Sequence, residues 1–258
     1  MEESILINKE ELRKFALKNG LPLFTQERDY VQTMFLFRLS LLSDDFIFKG
    51  GTCLKFVYGS NRFSEDIDLD FIGDEKTLMN MLKKAVKELE YIDMRAELNN
   101  VRKFFSGFRS RLKYQGPLYT GDKKSMGSIR IDINLKGDLM LKPSIMPMKS
   151  EYPEVSQFFI QAMKSEEILV EKVRALIIRG KARDLFDLWF LVERNTEIDL
   201  ELINKKLSMY KRKFEKKKLD ESIKKIRKEW NKDLKNLLPK VPDFEMVKDI
   251  VLKRFDKL

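Results

Sequence analysis

Asp66, Asp68 and Asp70 stand at alternate positions, with Ile67, Leu69 and Phe71 between and after them. In an extended strand this period of two sends the acids to one face and the apolar residues to the other. Further along, Asp132 lies in a second alternating run, where Arg130, Asp132 and Asn134 interleave with Ile129, Ile131, Ile133 and Leu135. Carboxylates on neighbouring strands repel unless cations lie among them, and Mg²⁺ takes oxygen ligands of this kind. Asp66, Asp68 and Asp132 are therefore the candidate metal ligands of a two-metal phosphoryl-transfer site. The plainer alternative is a set of acids facing solvent. Asp70 ranks below the others, because a third acid two residues on can reach solvent or pair with a lysine.

Just upstream, Gly50-Gly51-Thr52 follows the short apolar run Phe46-Ile47-Phe48. The glycines allow a tight turn and close approach to a ligand, and Thr52 opens a short helix whose free N–H groups suit phosphate. Arg62 and Ser64 lie between this turn and the acids, where a triphosphate would pass; Arg offers bidentate contacts and Ser a hydroxyl. Their competing reading is an ordinary polar loop. A second constellation spans Glu171 to Asp187. Lys172 and Arg179 share a helix face, and Arg183, Asp184 and Asp187 open the next helix. Surface ion pairs would explain these charges too, but Lys172 sits among Val170, Val173, Leu176 and Ile177, where a stray lysine is costly.

These residues need a scaffold, and the periodicities supply one. A helix is expected over 8–19, capped by Asn8 with Glu11 at the capping-box position and stopped by Gly20. A more apolar helix follows from Thr25 to Leu42. Strands are expected at 46–48, 66–72, 104–114 and 128–135, with helices at 52–58 and 75–91. Pro143, Pro147 and Pro153 punctuate a segment expected to leave the sheet, and Ser165 is expected to cap the next helix. From Asp199 onward the chain reads as helical and charged. The expected fold class is α+β: a small mixed sheet flanked by N-terminal helices over 1–150, then an all-helical, basic domain over 151–258.

Composition narrows the chemistry. The chain has no histidine, which removes His-based triads and His-ligated zinc. Its single cysteine, Cys53, excludes an internal disulfide and fits a small buried residue in a reducing cytoplasm. No apolar run approaches a membrane span, and the acidic N-terminus does not resemble a secretory signal. The net charge of +10 favours a polyanionic partner. Residues 205–258 hold much of it, with Lys211-Arg212-Lys213 and Lys216-Lys217-Lys218 flanking Tyr210 and Phe214. Basic residues interleaved with aromatics can follow an RNA backbone; helices with a solvated charged face give the same pattern.

Three motifs converge: Lys-Gly-Gly-Thr-x-Leu-x-x-x-Tyr-Gly from Lys49, Arg-x-Ser-x-Asp-Ile-Asp-Leu from Arg62, and Glu-Lys-x-x-Ala-x-x-x-Arg from Glu171 followed by Arg183-Asp184-x-x-Asp187. In this order they resemble the AbiEii/AbiGii nucleotidyltransferase toxins of type IV toxin–antitoxin and abortive-infection systems, a branch of the DNA polymerase β-like superfamily. The resemblance implies Asp66 and Asp68 as the metal pair and Asp132 as the third carboxylate. It implies Gly50, Gly51, Thr52, Arg62, Ser64 and Arg183 around the nucleotide, Lys172 as an essential lysine near it, and Asp184 or Asp187 as the later acid. It also implies Mg²⁺, an NTP co-substrate, a cognate antitoxin, and transfer to RNA, the 3′ acceptor end of tRNA being the expected target. Two other readings use the same residues: a GTP-binding interaction module that transfers nothing, and a nucleotidyltransferase acting on protein.

Overall fold

The computed structural model describes residues 6–104, 106–135, 137–155 and 157–256. It divides into two compact units, one of Met1–Asp138 with Pro143–Ala162, the other of Leu139–Lys142 with Met163–Leu258.

The first unit opens with helix α1 (Lys9–Asn19). The Asn8 side chain accepts from the N–H groups of Glu10 and Glu11, the Glu11 carboxylate returns the bond to the Asn8 N–H, and Gly20 ends the helix at φ 64°. Helix α2 (Leu23–Ser40) is buried on most of its circumference, so its polar residues need internal partners. Gln26 donates to the Tyr152 hydroxyl at 2.7 Å, and Gln32 donates through Nε2 to the Ser64 carbonyl at 3.1 Å while its Oε1 is buried without a partner among the described residues. Strand β1 (Phe46–Lys49) runs directly into helix α3 (Gly50–Phe56), which starts two residues earlier than Thr52. Then come β2 (Asp66–Phe71), α4 (Glu75–Lys87) with a 3₁₀ turn to Ile92, β3 (Ala96–Phe104), β4 (Gly107–Tyr114), β5 (Gly127–Asn134), β6 (Ser144–Met148) and β7 (Phe158–Ala162).

The strands form one mixed sheet in the order β3-β4-β5-β2-β1-β7-β6. On one face of its β4, β5 and β2 portion, Leu112, Tyr114, Ile129, Ile131, Ile67 and Leu69 are fully buried. The opposite face carries the polar residues of the same strands, as alternation requires.

Several expectations change. The run read as one strand over 104–114 crosses residue 105, which lies outside the described residues; the strand proper begins at Gly107 and pairs with β3, which the sequence had not signalled. The proline segment does not leave the sheet. It returns as the hairpin β6–β7, with β7 parallel to β1. Pro147 is tolerated because β6 is an edge strand, where a missing N–H interrupts no ladder on the open side.

The second unit is helical: α5 (Ser165–Ile178), α6 (Ala182–Glu193), α7 (Leu200–Ser208), α8 (Lys216–Ile226), α9 (Trp230–Leu234) and α10 (Phe244–Phe255). Lys164, and not Ser165, occupies the N-cap of α5; Ser165 is already the first helical residue and its hydroxyl turns to Glu166. Helix α5 packs against α6, α7 and α8. Glu167 on α5 is fully buried and accepts from the N–H groups of Met140 and Leu141 at 2.8 and 2.9 Å, which ties the short 139–142 segment to this unit.

Candidate active site

Strands β2 and β5 run parallel with Asp66 opposite Arg130, Asp68 opposite Asp132 and Asp70 opposite Asn134. Paired residues on adjacent strands share a face, so the three predicted ligands lie on the same, polar side of the sheet. Strand β1 completes the neighbourhood from the other edge of β2, with Lys49 opposite Asp68.

Gly50 lies against this cluster. Its φ of 76° is in the left-handed region, and a Cβ there would stand 2.3 Å from Asp68 Oδ2. The glycine thus answers two demands, backbone conformation and space for a carboxylate. Gly51 and Thr52 are buried behind it. The Thr52 hydroxyl donates to the Asp66 carbonyl, tying the start of β2 to α3.

Arginines compensate the acids. Arg109, opposite Asp132 on β4, donates through Nε at 2.6 Å and Nη2 at 3.3 Å to the two carboxylate oxygens. Arg130 donates to Asp66 Oδ2 and places Nε 3.3 Å from Asp132 Oδ2. The Asp132 hydrogen bond, with the added charges of Asp66 and Asp68, raises the Arg109 pKa further. Asp70 has a different fate. It is buried and ion-paired with Lys49 at 2.5 Å, and burial raises its carboxyl pKa against the lowering effect of that lysine. It braces β1 against β2.

Of the two predicted phosphate-loop residues, Arg62 is buried and its guanidinium donates to the Phe63 carbonyl at 2.9 Å, while Ser64 is half-buried in the same loop. Cys53 is buried, and burial pushes its thiol pKa well up, as expected of a packing residue. A cavity of about 490 Å³ lies elsewhere in this unit, lined by Asp29, Lys55, Tyr58 and Tyr152 among others. Its polar groups satisfy one another, with the Tyr152 hydroxyl 2.7 Å from Asp29 and Lys55 paired with the same carboxylate.

The second unit holds its own cluster. Lys172 Nζ on α5 lies 2.7 Å from Asp187 Oδ2 and 3.4 Å from Asp184 Oδ1, both acids on α6 and both fully buried. Arg179 closes on Asp184 with two bonds of 2.8 Å. Burial alone would raise the Asp184 pKa; Lys172, Arg179 and Arg183 outweigh it and hold the carboxyl at about 2. Both candidate acids therefore serve one lysine, which explains how Lys172 is accommodated among apolar neighbours. A second buried lysine, the fully buried Lys206 on α7, pairs with Glu171 at 2.9 Å and Glu167 at 3.4 Å, and no sequence signal pointed to it.

The carboxylates of β2 and β5 are hard oxygen donors on one face, with Gly50 leaving room beside Asp68, and this donor set fits a divalent cation. Among the described residues no three acids are already drawn together around a metal position, because Arg109 and Arg130 hold Asp66 and Asp132. Reasoning from sequence missed Arg109 and gave Arg130 no role, although both occupy the polar positions of alternating strands.

A family model described as the nucleotidyl transferase AbiEii toxin of type IV toxin–antitoxin systems matches residues 34–258. The chain belongs to this family. Its fold is also similar to solved structures. MenT4, a nucleotidyltransferase toxin from Mycobacterium tuberculosis, is 17% identical with a TM-score of 0.71, covering 96% of this chain and 88% of the other. JHP933 from Helicobacter pylori is 21% identical with a TM-score of 0.59, covering 92% of each. No curated protein matches the chain in sequence. The expected fold class stands: a mixed seven-stranded sheet with helices, in the manner of the nucleotidyltransferase toxins. Among the described residues no helix is long and apolar enough to cross a membrane.

Proposed function

We propose that this nucleotidyltransferase toxin transfers a nucleotide from an NTP to RNA, at the 3′ acceptor end of tRNA, and so blocks translation in the cytoplasm until a cognate antitoxin restrains it. The observation that carries the reading is the parallel register of β2 and β5, which sets Asp68 beside Asp132 and Asp66 beside Arg130. In this reading residues 1–150 perform the chemistry and the helical, basic 151–258 supports it.

Asp66, Asp68 and Asp132 would hold Mg²⁺, which supplies activation of the attacking hydroxyl and charge neutralisation on the triphosphate. The chain has no histidine, so Asp132 is the group assigned to take the proton from the RNA 3′-hydroxyl. The O3′–Pα bond forms as the bond from Pα to the bridging oxygen breaks, and pyrophosphate leaves. Arg109 and Arg130 hold the acids apart before substrate arrives. Gly50, Gly51 and Thr52 shape the turn, and Arg62, Ser64 and Arg183 are assigned to the nucleotide. Lys172, oriented by Asp184 and Asp187, supplies an ammonium for the phosphates.

Labelled NTPs, offered one at a time with total tRNA and Mg²⁺, test this directly. Label should enter RNA, and Asp66→Ala with Asp68→Ala should abolish both incorporation and growth arrest while the circular dichroism spectrum stays native. Full activity in that double variant would overturn the mechanism. A second reading draws on the arginine pairing of Asp66 and Asp132: a nucleotide-binding interaction module, in which those acids never leave their arginines. Saturable NTP binding with no label in any product would favour it, and label in protein alone would point to a protein-directed transferase.

A further inference from the structure

The polar face that carries the candidate ligands does not end at β5. In β4, Arg109, Arg111 and Lys113 alternate with the buried Ser110, Leu112 and Tyr114, so all three lie on the same side as Asp132. The register continues outward: Arg111 lies opposite Arg130, and on β3 Arg102 lies opposite Arg109. A bulge between Asn99 and Arg102 is what brings Arg102 into that position. Phe104 shares the face, because the Arg109 guanidinium lies over its ring at 5.2 Å, and the ring is 46% exposed. Strand β3 is exposed along most of its length.

This face therefore combines cations with an exposed aromatic ring, and it is continuous with the site. Adjacent strands are about 4.8 Å apart, so Arg111 stands roughly 10 Å from Asp66, across β5. Arg109 and Arg130 are engaged by the acids, but Arg102, Arg111 and Lys113 have no ion-pair partner among the described residues. A row of cations without ion-pair partners thus runs outward from the arginine-paired carboxylates, and charge of this sign suits a polyanion. One acid, the exposed Glu97 opposite Lys113, lies at the outer margin of the row. Same-face residues on a strand repeat at about 6.8 Å, close to the phosphate step of an extended nucleic-acid strand.

The C-terminal clusters make a weaker track. The Phe214 ring packs on Phe255 at 5.8 Å, and Arg174 already covers the Tyr210 ring at 4.7 Å. Lys216 and Lys218 are paired with Asp256 and Glu215. The aromatics there are occupied, and part of the charge is neutralised.

We infer that the open face of β3, β4 and β5 is the binding track for the single-stranded end of the RNA acceptor: Arg102, Arg111 and Lys113 hold its phosphates and Phe104 stacks a base. This rests on the proposed transfer to RNA and adds which surface brings the 3′ end to the acids. Stacking on an aromatic side chain is tolerant of base identity and phosphate contacts are salt-sensitive, so the two components separate experimentally.

The test uses the full chain and a fluorescently labelled tRNA pool, with affinity measured by anisotropy over a range of salt without NTP. Arg102→Ala/Arg111→Ala/Lys113→Ala should weaken binding at least tenfold at moderate salt. It should also flatten the slope of log affinity against log salt by about 2, from about 0.7 per phosphate contact. Phe104→Ala should weaken binding at least fivefold with the slope unchanged. In the labelling assay the triple variant should raise the RNA KM and leave the NTP KM within twofold of the parent. A triple variant with parental affinity and slope overturns the track. Since binding is read without NTP, a parent that binds RNA on this face but labels none overturns the transfer reading alone. A parent that labels RNA, beside a triple variant with unchanged slope, overturns the track alone.

Discussion

Gly50→Ala is the most discriminating single substitution. It imposes two separable penalties: an L-residue at φ 76°, and a Cβ 2.3 Å from Asp68 Oδ2. The first costs roughly 1–2 kcal/mol, the usual penalty for a left-handed L-residue. The second demands movement, since ordinary contact begins near 3.4 Å and the carboxylate must retreat by about 1.1 Å. A displacement near 1 Å in a catalytic group lowers turnover by about 10²-fold. Gly59 provides the control: its φ is 79°, but a Cβ there meets nothing within 4 Å. Gly59→Ala should therefore carry the strain alone. Thermal unfolding should place Gly59→Ala about 2–8 °C below the parent, and Gly50→Ala at least as far below. In the labelled-NTP assay only Gly50→Ala should lose turnover. Equal losses in the two variants would show that backbone strain, and not the position of Asp68, governs activity; parental turnover in Gly50→Ala would remove Asp68 from the chemistry.

Two further outcomes follow from the buried charges. Asp184 has a folded pKa depressed to about 2, so its stabilisation is present above the unfolded value near 4 and fades as pH falls toward 2. Urea unfolding of the parent and Asp184→Asn should show a stability gap that shrinks by roughly 2 kcal/mol between pH 5 and pH 2; a gap independent of pH would refute the assignment. Asp70→Asn should lower stability by weakening the Lys49 pairing that joins β1 to β2, yet retain transfer. A loss of activity equal to that of Asp68→Asn, with stability unchanged, would move Asp70 into the site.

How far the sequence carried depended on whether a signal was local. The alternation in Asp66–Phe71 and Gly127–Asn134 dictated which residues face which way, and the structure keeps that pattern. The capping box of α1 is local in the same sense, as three residues fix one helix start. Strand β3 gave no such signal because most of its residues are exposed, leaving no apolar period to detect. Strand β6 was masked by Pro147, whose place on a sheet edge is a property of the whole sheet.

The site shows the same limit more sharply. Residue types at 66, 68 and 132 announce a carboxylate cluster, but they do not reveal that Asp132 is clasped by Arg109. That pairing depends on the register of β4 against β5, set across the long 115–126 connection and not by a two-residue turn with a fixed geometry. A slip of one residue would send Arg109 to the buried face and leave Asp132 without it. What locks the register is the opposite side of the hairpin, where Leu112, Tyr114, Ile129 and Ile131 are fully buried. Gly127 adds to this, because a Cβ there would stand 2.1 Å from the Tyr114 ring opposite it. The polar face that meets substrate is thus positioned by packing on the face that never does.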